Sequence, residues 1–427
     1  IPVLERVYVS DLLQVDGRVV GAYGFRLDDE REVVIQARAV ILAAGGHIHI
    51  YNRSSSRRRE NTGDGMALAF KAGAALADME LVQFHPSGMV WPPEMEGTLV
   101  TEAVRGEGGR LLNSQGERFM ANYDAERMEL STRDRVALAN YAEIMAGRGT
   151  PHGGVWLDVS HLPAKQIAAR LPRMLEQFRE VGVDITSQPM EVAPTAHYSM
   201  GGVRVDPTTH ATAVPGLYAA GEVAAGVHGA NRLGGNSLAE IIVFGRIVGQ
   251  QAAIQAATLG VPAAPPPAET IARCREANAY WKTRDGATLR GLLGELQHVM
   301  WEGCGVVRDE PSLETALQRI EGIRYLADSA PAGAPDLAAA LDLESMLLTA
   351  EATIRSALAR TESRGAHQRA DYPATDPAWR KTITVEPVIA GDRLGMALGT
   401  APLADPGPAV AAALDEAEYE VAGRLVE

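Results

Sequence analysis

Residues 39–46 read "AVILAAGG", a continuous apolar run closed by two glycines. A run this apolar on both alternating faces is what a parallel strand buried on two sides requires, and glycines at its carboxyl end leave room for a ligand. A plain core strand before a loop gives the same pattern, so the stretch must be read with its neighbours. Residues 216–224, "GLYAAGEVA", repeat its logic with Glu222 just beyond the strand, where a carboxylate can accept from a ribose hydroxyl. Between them, "NTGDGMALAFKAGAAL" (61–76) sets the N-cap types Asn61 and Thr62 before Gly63, Asp64 and an alanine-rich helical tail. A helix N-terminus behind glycine and aspartate suits a nucleotide phosphate or ribose.

Toward the amino terminus, "LERVYVSDLL" and "RVVGAYGF" alternate apolar and polar residues around Asp16-Gly17, which predicts a β-hairpin over 3–26, and "EVVIQA" (32–37) predicts a further strand. The fold class is therefore an α/β nucleotide-binding domain, with residues 1–80 as its first part and 206–262 as its second. Residues 81–205 change character, with short strands, glycine-rich turns and one amphipathic helix near 163–181, and are read as an inserted α+β domain. "VPAAPPPAE" (261–269) is a stiff linker, 268–375 carries helical periodicity, and 376–427 is a tail that starts extended at "KTITVEPVI" and ends in an Ala/Glu-rich helix. No G-x-G-x-x-G fingerprint follows any strand, so the usual first βαβ unit of a dinucleotide-binding domain is expected to be missing at the amino-terminal side.

A net charge of −14 argues against binding nucleic acid or anionic lipid by general attraction, so any anionic ligand must be held by a local cluster of cations. Cys274 and Cys304 form no Cys-x-x-Cys pair, so neither zinc nor an iron–sulfur cluster can be built from this chain's thiolates, and a reducing compartment fits best. The most apolar candidate span, 238–259, is broken by Glu240 and Arg246; no crossing segment is expected, and no secretory signal is read at Ile1.

Several stretches place cations or hydrogen-bonding side chains among glycines. "QFHPSG" (83–88) carries His85. "TEAVRGEGG" (101–109) carries Thr101, Glu102 and Arg105. "ELSTRDRVA" (129–137) sets Arg133 in the first turn of a helix capped by Ser131 or Thr132, where the macrodipole disfavours a cation. "PTAHYSMGG" (194–202) carries His197, and "HGANRLGGNSL" (228–238) carries Arg232. One or two histidines, a threonine hydroxyl and two or three arginines are what a small dicarboxylate requires, because each carboxylate needs donors to replace its water. In the last stretch Ser237 and Glu240 have the spacing of a capping box, and Leu238, Ile241, Ile242, Gly245, Val248 and Gly249 are expected to continue a buried helical face.

In this order, and with "GLYAAGEVA" and "TESRGAHQRADYP" (361–373), these motifs resemble the flavoprotein subunit of succinate dehydrogenase and fumarate reductase over essentially the whole chain. The resemblance implies an FAD-binding Rossmann-like domain, amino-terminally incomplete, an inserted capping domain and a C-terminal helical domain. It implies that His85, Thr101, His197 and Arg232 bind substrate carboxylates, that Arg133 exchanges a proton with the succinate/fumarate carbon, and that Glu102 and Arg105 relay it. Guanidinium is a weak acid, so such a relay works only in concert; otherwise His85 or His197 is the better general acid. The FAD contacts it implies are Ala44, Gly45, Thr62, Gly63, Asp64, Glu222, Asn236, Ser237 and Leu238, with no metal site. The implied partner is an iron–sulfur subunit, with membrane contact only indirect and a cytoplasmic location, at the cytoplasmic face of the inner membrane through partner subunits. The insertion "VWPPEME" (90–96) and the basic "RSSSRRRE" (53–60), read as a solvated loop, depart from the family pattern. L-aspartate oxidase shares most of these motifs, and a catalytically inactive fragment of the family is the remaining alternative.

Overall fold

A computed structural model describes residues 2–56, 60–259, 265–390 and 393–403. Along the chain come β1 (Val7–Val15), β2 (Arg18–Arg26), β3 (Glu32–Gln36), β4 (Val40–Leu42), α1 (Asp64–Lys71), β5 (Leu76–Ala77) and β6 (Val82–Met89). Then follow α2 (Ala103–Gly106), β7 (Arg110–Leu112), α3 (Arg133–Glu143), β8 (Val155–Asp158), α4 (Ala164–Arg170), α5 (Pro172–Arg179), β9 (Met190–Ser199), β10 (Gly202–Val203) and β11 (Leu217–Ala219). The remainder is α6 (Asn236–Thr258), α7 (Ala268–Trp281), α8 (Gly286–Cys304), α9 (Glu310–Asp328), α10 (Leu337–Ala359), β12 (Lys381–Ala390) and β13 (Arg393–Pro402).

The two apolar runs at 39–46 and 216–224 pair with each other: β4 and β11 lie parallel, Val40 opposite Leu217 and Leu42 opposite Ala219. Both carboxyl ends therefore point the same way, and their glycine-rich turns converge on one surface. The amino-terminal hairpin forms as expected, with Asp16 and Gly17 both at positive φ in the turn and β3 as a third antiparallel strand. Residues from 82 to 199 build a four-stranded antiparallel sheet in the order β6-β9-β8-β7, backed by α3, α4 and α5 around its own core of Val104, Leu111, Phe119, Leu157, Phe178 and Val192. The helices α8, α9 and α10 pack around Leu289, Leu296, Met300, Leu313, Ile320, Leu343 and Met346, and this core runs on into Ile48, Tyr51 and Phe84 of the neighbouring layers. Asp285, Asp309 and Asp336 begin these three helices by accepting the amides of Thr288, Ser312 and Ala339, each replacing a partner that the first turn lacks.

After α10 the segment 361–373 folds as a buried ionic knot. Arg360 binds Glu80 at 2.6 Å and Glu362 at 3.1 Å, Arg369 grips Asp371 through two nitrogens at 2.7 Å, and Arg308 donates to the Glu80 carbonyl at 2.8 Å. The motif "TESRGAHQRADYP" thus ties the last long helix to the β5–β6 connection, and the following hairpin β12–β13 adds to the sheet β10-β5-β12-β13.

Several local expectations change. The helix near 163–181 is two, because Pro172 has no amide to donate and Leu171 leaves helical geometry (φ −126°, ψ 41°). β4 is not buried on both faces: Ile41 is exposed, since β11 is its sole partner among the described residues. α6 presents Leu238, Ile241 and Ile242 to solvent, with Glu240, Val248 and Ala252 as its buried positions, so the expected buried face is largely an open one. α6 starts at Gly235, which adopts the left-handed region (φ 85°), and the capping box does not form because Glu240 turns inward. α6 is also long and apolar enough to cross a membrane by length and composition alone. The solvated-loop reading of 53–60 fails for Ser54, which is buried; 57–59, part of the linker at 261–269 and the C-terminal helix expectation lie outside the described residues.

Candidate active site

The antiparallel pair β6–β9 carries the two histidines. His85 and Thr195 face each other across the ladder, and the rings of His85 and His197 meet edge to face at 5.3 Å. The amide of Ser87 donates to His85 Nδ1 at 3.2 Å; an amide can only donate, so Nδ1 is the acceptor and Nε2 carries the hydrogen. That Nε2 is buried and has no hydrogen-bond partner among the described residues. His197 Nδ1 lies 3.0 Å from the Ser55 hydroxyl. Burial, with the neighbouring His197 ring and Arg133, holds the His85 pKa well below the usual histidine range, and burial with Arg232 holds His197 at about 3. Both rings are neutral hydrogen-bond donors at physiological pH.

Three guanidiniums surround this pair. Arg133, in the first turn of α3, donates through Nε and a terminal nitrogen to one oxygen of Glu102 at 2.9 and 2.7 Å, and through the other terminal nitrogen to Gln83 at 3.1 Å. The second oxygen of Glu102 sits 3.5 Å from Arg105. One carboxylate therefore bridges two arginines, joining the half-exposed Glu102 to the buried Arg105, which also donates to the Glu129 carbonyl. Burial lowers the Arg105 pKa. The macrodipole cost of Arg133 is met by Glu102 rather than by Asp134, which instead accepts from Asn231 at 2.7 Å. Thr132 takes the N-cap backbone position without a side-chain cap, and the Ser131 hydroxyl donates to Asp124 instead.

Arg232 differs from both. It is 5% exposed, its Nε has no partner, and among the described residues no carboxylate lies within ion-pair distance of it. Its guanidinium rests 4.2 Å over the Tyr198 ring, and Tyr198 is held by Glu240, which His228 also meets at 2.9 Å. Thr101 is half-buried beside α2, its hydroxyl accepting from the Ala103 amide at 3.4 Å. Sequence reasoning missed Gln83, whose amide donates to Asn231 and to the Arg232 carbonyl, both at 2.7 Å, while accepting from Arg133. It missed Ser55, Tyr198 and Glu240 as well; Tyr198 follows His197 and Gln83 lies two residues before His85, and that proximity was the available signal.

On the neighbouring face, the β4 and α1 turns are stitched together: the Gly46 amide donates to Asn61 at 3.0 Å and the Gly63 amide to the Gly46 carbonyl at 3.1 Å. Gly45 and Gly63 both take positive φ (78° and 79°), where a side chain would be strained. A Cβ at Gly46 would lie 2.5 Å from Glu222, so this backbone passes directly under that carboxylate. Glu222 accepts the Ser199 amide at 3.0 Å, and burial pushes its pKa up to about 7. Ala44 and residues 233–236 and 238 are exposed, and Ser237 is half-buried, at the α6 N-terminus. Thr62 is buried, and Asp64 opens α1 along a narrow crevice lined by Tyr8, Ser10 and Lys71; no hydrogen bond or ion pair joins Asp64 to Glu222 among the described residues. The two faces meet at Gly234, where a Cβ would stand 3.2 Å from both Arg133 and Glu102. Gly-lined strand ends, a helix N-terminus and a buried carboxylate fit the ribose and ring edges of a flavin nucleotide on one side. Among the described residues no cluster of His, Cys, Asp and Glu could hold a metal ion.

A parallel strand pair with glycine-lined ends, set against a nest of neutral histidines and arginines, is an arrangement that a flavin-dependent oxidoreductase can use. The FAD binding domain family matches residues 1–238, and the fumarate reductase flavoprotein C-terminal family matches 294–399. The chain is 49% identical over 389 residues to one of the subunits of fumarate reductase (CoM/CoB) from Methanothermobacter marburgensis, covering 90% of this chain and 70% of that relative. Among solved structures it is similar to a variant of the FrdA chain of Escherichia coli quinol fumarate reductase (TM-score 0.86, 33% identity, covering 94% of this chain and 72% of that one). It is likewise similar to Mycobacterium smegmatis Sdh1 (TM-score 0.82, 40% identity, covering 94% and 68%). The chain belongs to the succinate dehydrogenase/fumarate reductase flavoprotein family, whose cofactor is FAD.

Proposed function

We propose that the chain interconverts succinate and fumarate, with substrate between the β6–β9 histidines and Arg232. The observation that carries this reading is Arg232: a buried guanidinium without an ion pair is costly unless an anion arrives to pair with it. His85 and His197 offer neutral N–H donors to the same carboxylates, and Thr101 adds a hydroxyl. When bound, FAD would supply the two-electron chemistry, a hydride exchanged between its N5 and the dicarboxylate carbon. Ala44, Gly45, Thr62, Gly63, Asp64, Glu222, Asn236, Ser237 and Leu238 are the residues that would hold it.

Arg133 gives the proton to the other carbon of fumarate, or takes it from succinate. The contacts of Arg133 and Arg105 with opposite oxygens of Glu102 support a relay in which neutral arginine never accumulates. Burial keeps both histidines neutral, which disfavours them as the acid and leaves them as donors. The relatives are named as subunits, and an iron–sulfur partner would carry electrons to or from the flavin, with the assembly at the cytoplasmic face of the inner membrane.

The test is fumarate reduction by a reduced dye, run beside L-aspartate oxidation. Fumarate turnover is expected, and Arg133→Gln should lower it by roughly 10²–10⁴-fold while dicarboxylate still binds. Aspartate turnover with ammonia release, or an Arg133→Gln variant of undiminished rate, would sink the reading.

A further inference from the structure

We infer that Ser55 is a positioning residue that fixes which nitrogen of His197 carries the hydrogen, by donating its hydroxyl to Nδ1 so that Nε2–H faces the substrate. The inference rests on the dicarboxylate reading above and deepens it.

Ser55 is held in place by its backbone. The Ala196 amide donates to the Arg53 carbonyl at 3.0 Å, the Ser55 amide donates to the Ala196 carbonyl at 2.8 Å, and Ser54 bridges Ala196 in parallel register. The segment thus makes an isolated parallel bridge to the residue that precedes His197. From the other side Gly97 presses against it so closely that a Cβ there would come within 2.1 Å of the Ser54 carbonyl oxygen. Arg53 pairs with Glu96 at 2.8 Å and lies 5.3 Å over the Trp301 ring. At the far end Ser56 accepts from Asn61 at 2.7 Å, and Asn61 accepts from Gly46. The hydroxyl that meets His197 Nδ1 at 3.0 Å is therefore placed by the capping sheet, the insertion at 90–96 and the flavin-side turn together.

A neutral imidazole has one donor and one acceptor nitrogen, and whichever nitrogen accepts leaves the other to donate. His85 has this choice made by the Ser87 amide. His197 has no amide on Nδ1, and a ring protonated there would turn an acceptor lone pair toward a carboxylate. A hydroxyl donating to Nδ1 removes that arrangement and gives the dicarboxylate two matched Nε2–H donors, one from each strand of the β6–β9 pair.

The tautomer is read directly from the ¹⁵N shifts of histidine-labelled full-length chain, with the His197 signals identified by their loss in His197→Gln. Wild type should show an unprotonated Nδ1 and a protonated Nε2; Ser55→Ala should move both shifts toward a mixture, and Ser55→Thr should restore them. A proton on Nδ1 in wild type, or shifts indifferent to Ser55→Ala, would overturn the proposal. In the FAD-loaded protein, Ser55→Ala should raise KM for fumarate about five- to tenfold with kcat within about twofold, and Ser55→Thr should recover most of it. A rise in KM that threonine does not rescue counts against positioning. If wild type binds neither fumarate nor succinate, the dicarboxylate reading fails, while the nitrogen shifts still decide the role of Ser55.

Discussion

Two sets of buried arginines, one behind α10 and one in the cleft, are used in different ways. In the knot behind α10, Arg360 directs its donors to Glu80, Glu362 and the carbonyls of Trp379 and Lys381, and Arg369 to Asp371 and the Ala357 carbonyl. In the cleft, Arg232 has no ion pair among the described residues and an unpartnered Nε, and Arg105 leaves two nitrogens without a hydrogen bond. Burial raises the cost of an unpaired charge in both places. In the knot, engaged donors go with holding the fold, and in the cleft the spare donors of Arg232 are free for a ligand; Arg308 inside the knot, and Arg18 and Arg284 elsewhere, each leave one buried nitrogen unpartnered, so a spare donor alone does not mark a site.

The largest expected effect breaks the saturated side. Arg360→Met strands Glu80 as a buried carboxylate, while Glu362 keeps Arg364, and should cost about 3–5 kcal/mol of unfolding free energy, read by denaturant titration. Arg232→Met is next: dicarboxylate affinity should fall roughly 100-fold, about 2.7 kcal/mol, because a charged hydrogen-bonding partner is lost, with bound flavin retained and stability unchanged or improved. Loss of flavin together with binding would place Arg232 with the structural arginines and erase the distinction. The smallest effect is a pair of opposite pH signatures. Burial and the Glu80 carboxylate raise Asp78 in the knot to about 7, so the folded chain keeps a proton the unfolded chain has released, and this group's contribution falls as pH rises from about 4 to 7. His197 runs the other way: folded at about 3, it refuses the proton that the unfolded chain takes up below about 6.5, so stability is lost on acidification through that window. Comparing unfolding against pH for Asp78→Asn and His197→Gln should therefore change the slope in opposite senses, by at most about 1.4 kcal/mol per pH unit each. Slopes altered in the same sense would mean that one of the two environments has been misassigned.

Much of the architecture was legible because apolar period and turn chemistry report local structure. The Asp16-Gly17 hairpin, the "AVILAAGG" and "GLYAAGEVA" strands and the helices after 268 all follow from near neighbours. α6 misled because its apolar residues specify a surface to be covered without specifying the cover. The helix near 163–181 misled because its apolar spacing continues across a proline that interrupts the backbone. In the cleft, the arginines and histidines stood out as chemistry-bearing types among glycines, whereas Gln83 and Ser55 did not. An amide and a hydroxyl acquire their meaning from partners far along the chain, 148 and 142 residues away, and no local pattern records such a meeting.

Gly234 bears on how freely this site could be remodelled. A single methyl there would stand 3.2 Å from both halves of the Arg133–Glu102 pair, so any side chain obliges those two groups to give way slightly. A laboratory search for variants accepting bulkier acids would do better to widen the cleft elsewhere, since enlarging position 234 presses on the contact on which the proposed proton relay depends. Position 235, at positive φ, is constrained by its backbone and 234 by its neighbours, so a saturation library across 230–238 should return glycine at these two positions more often than at the others.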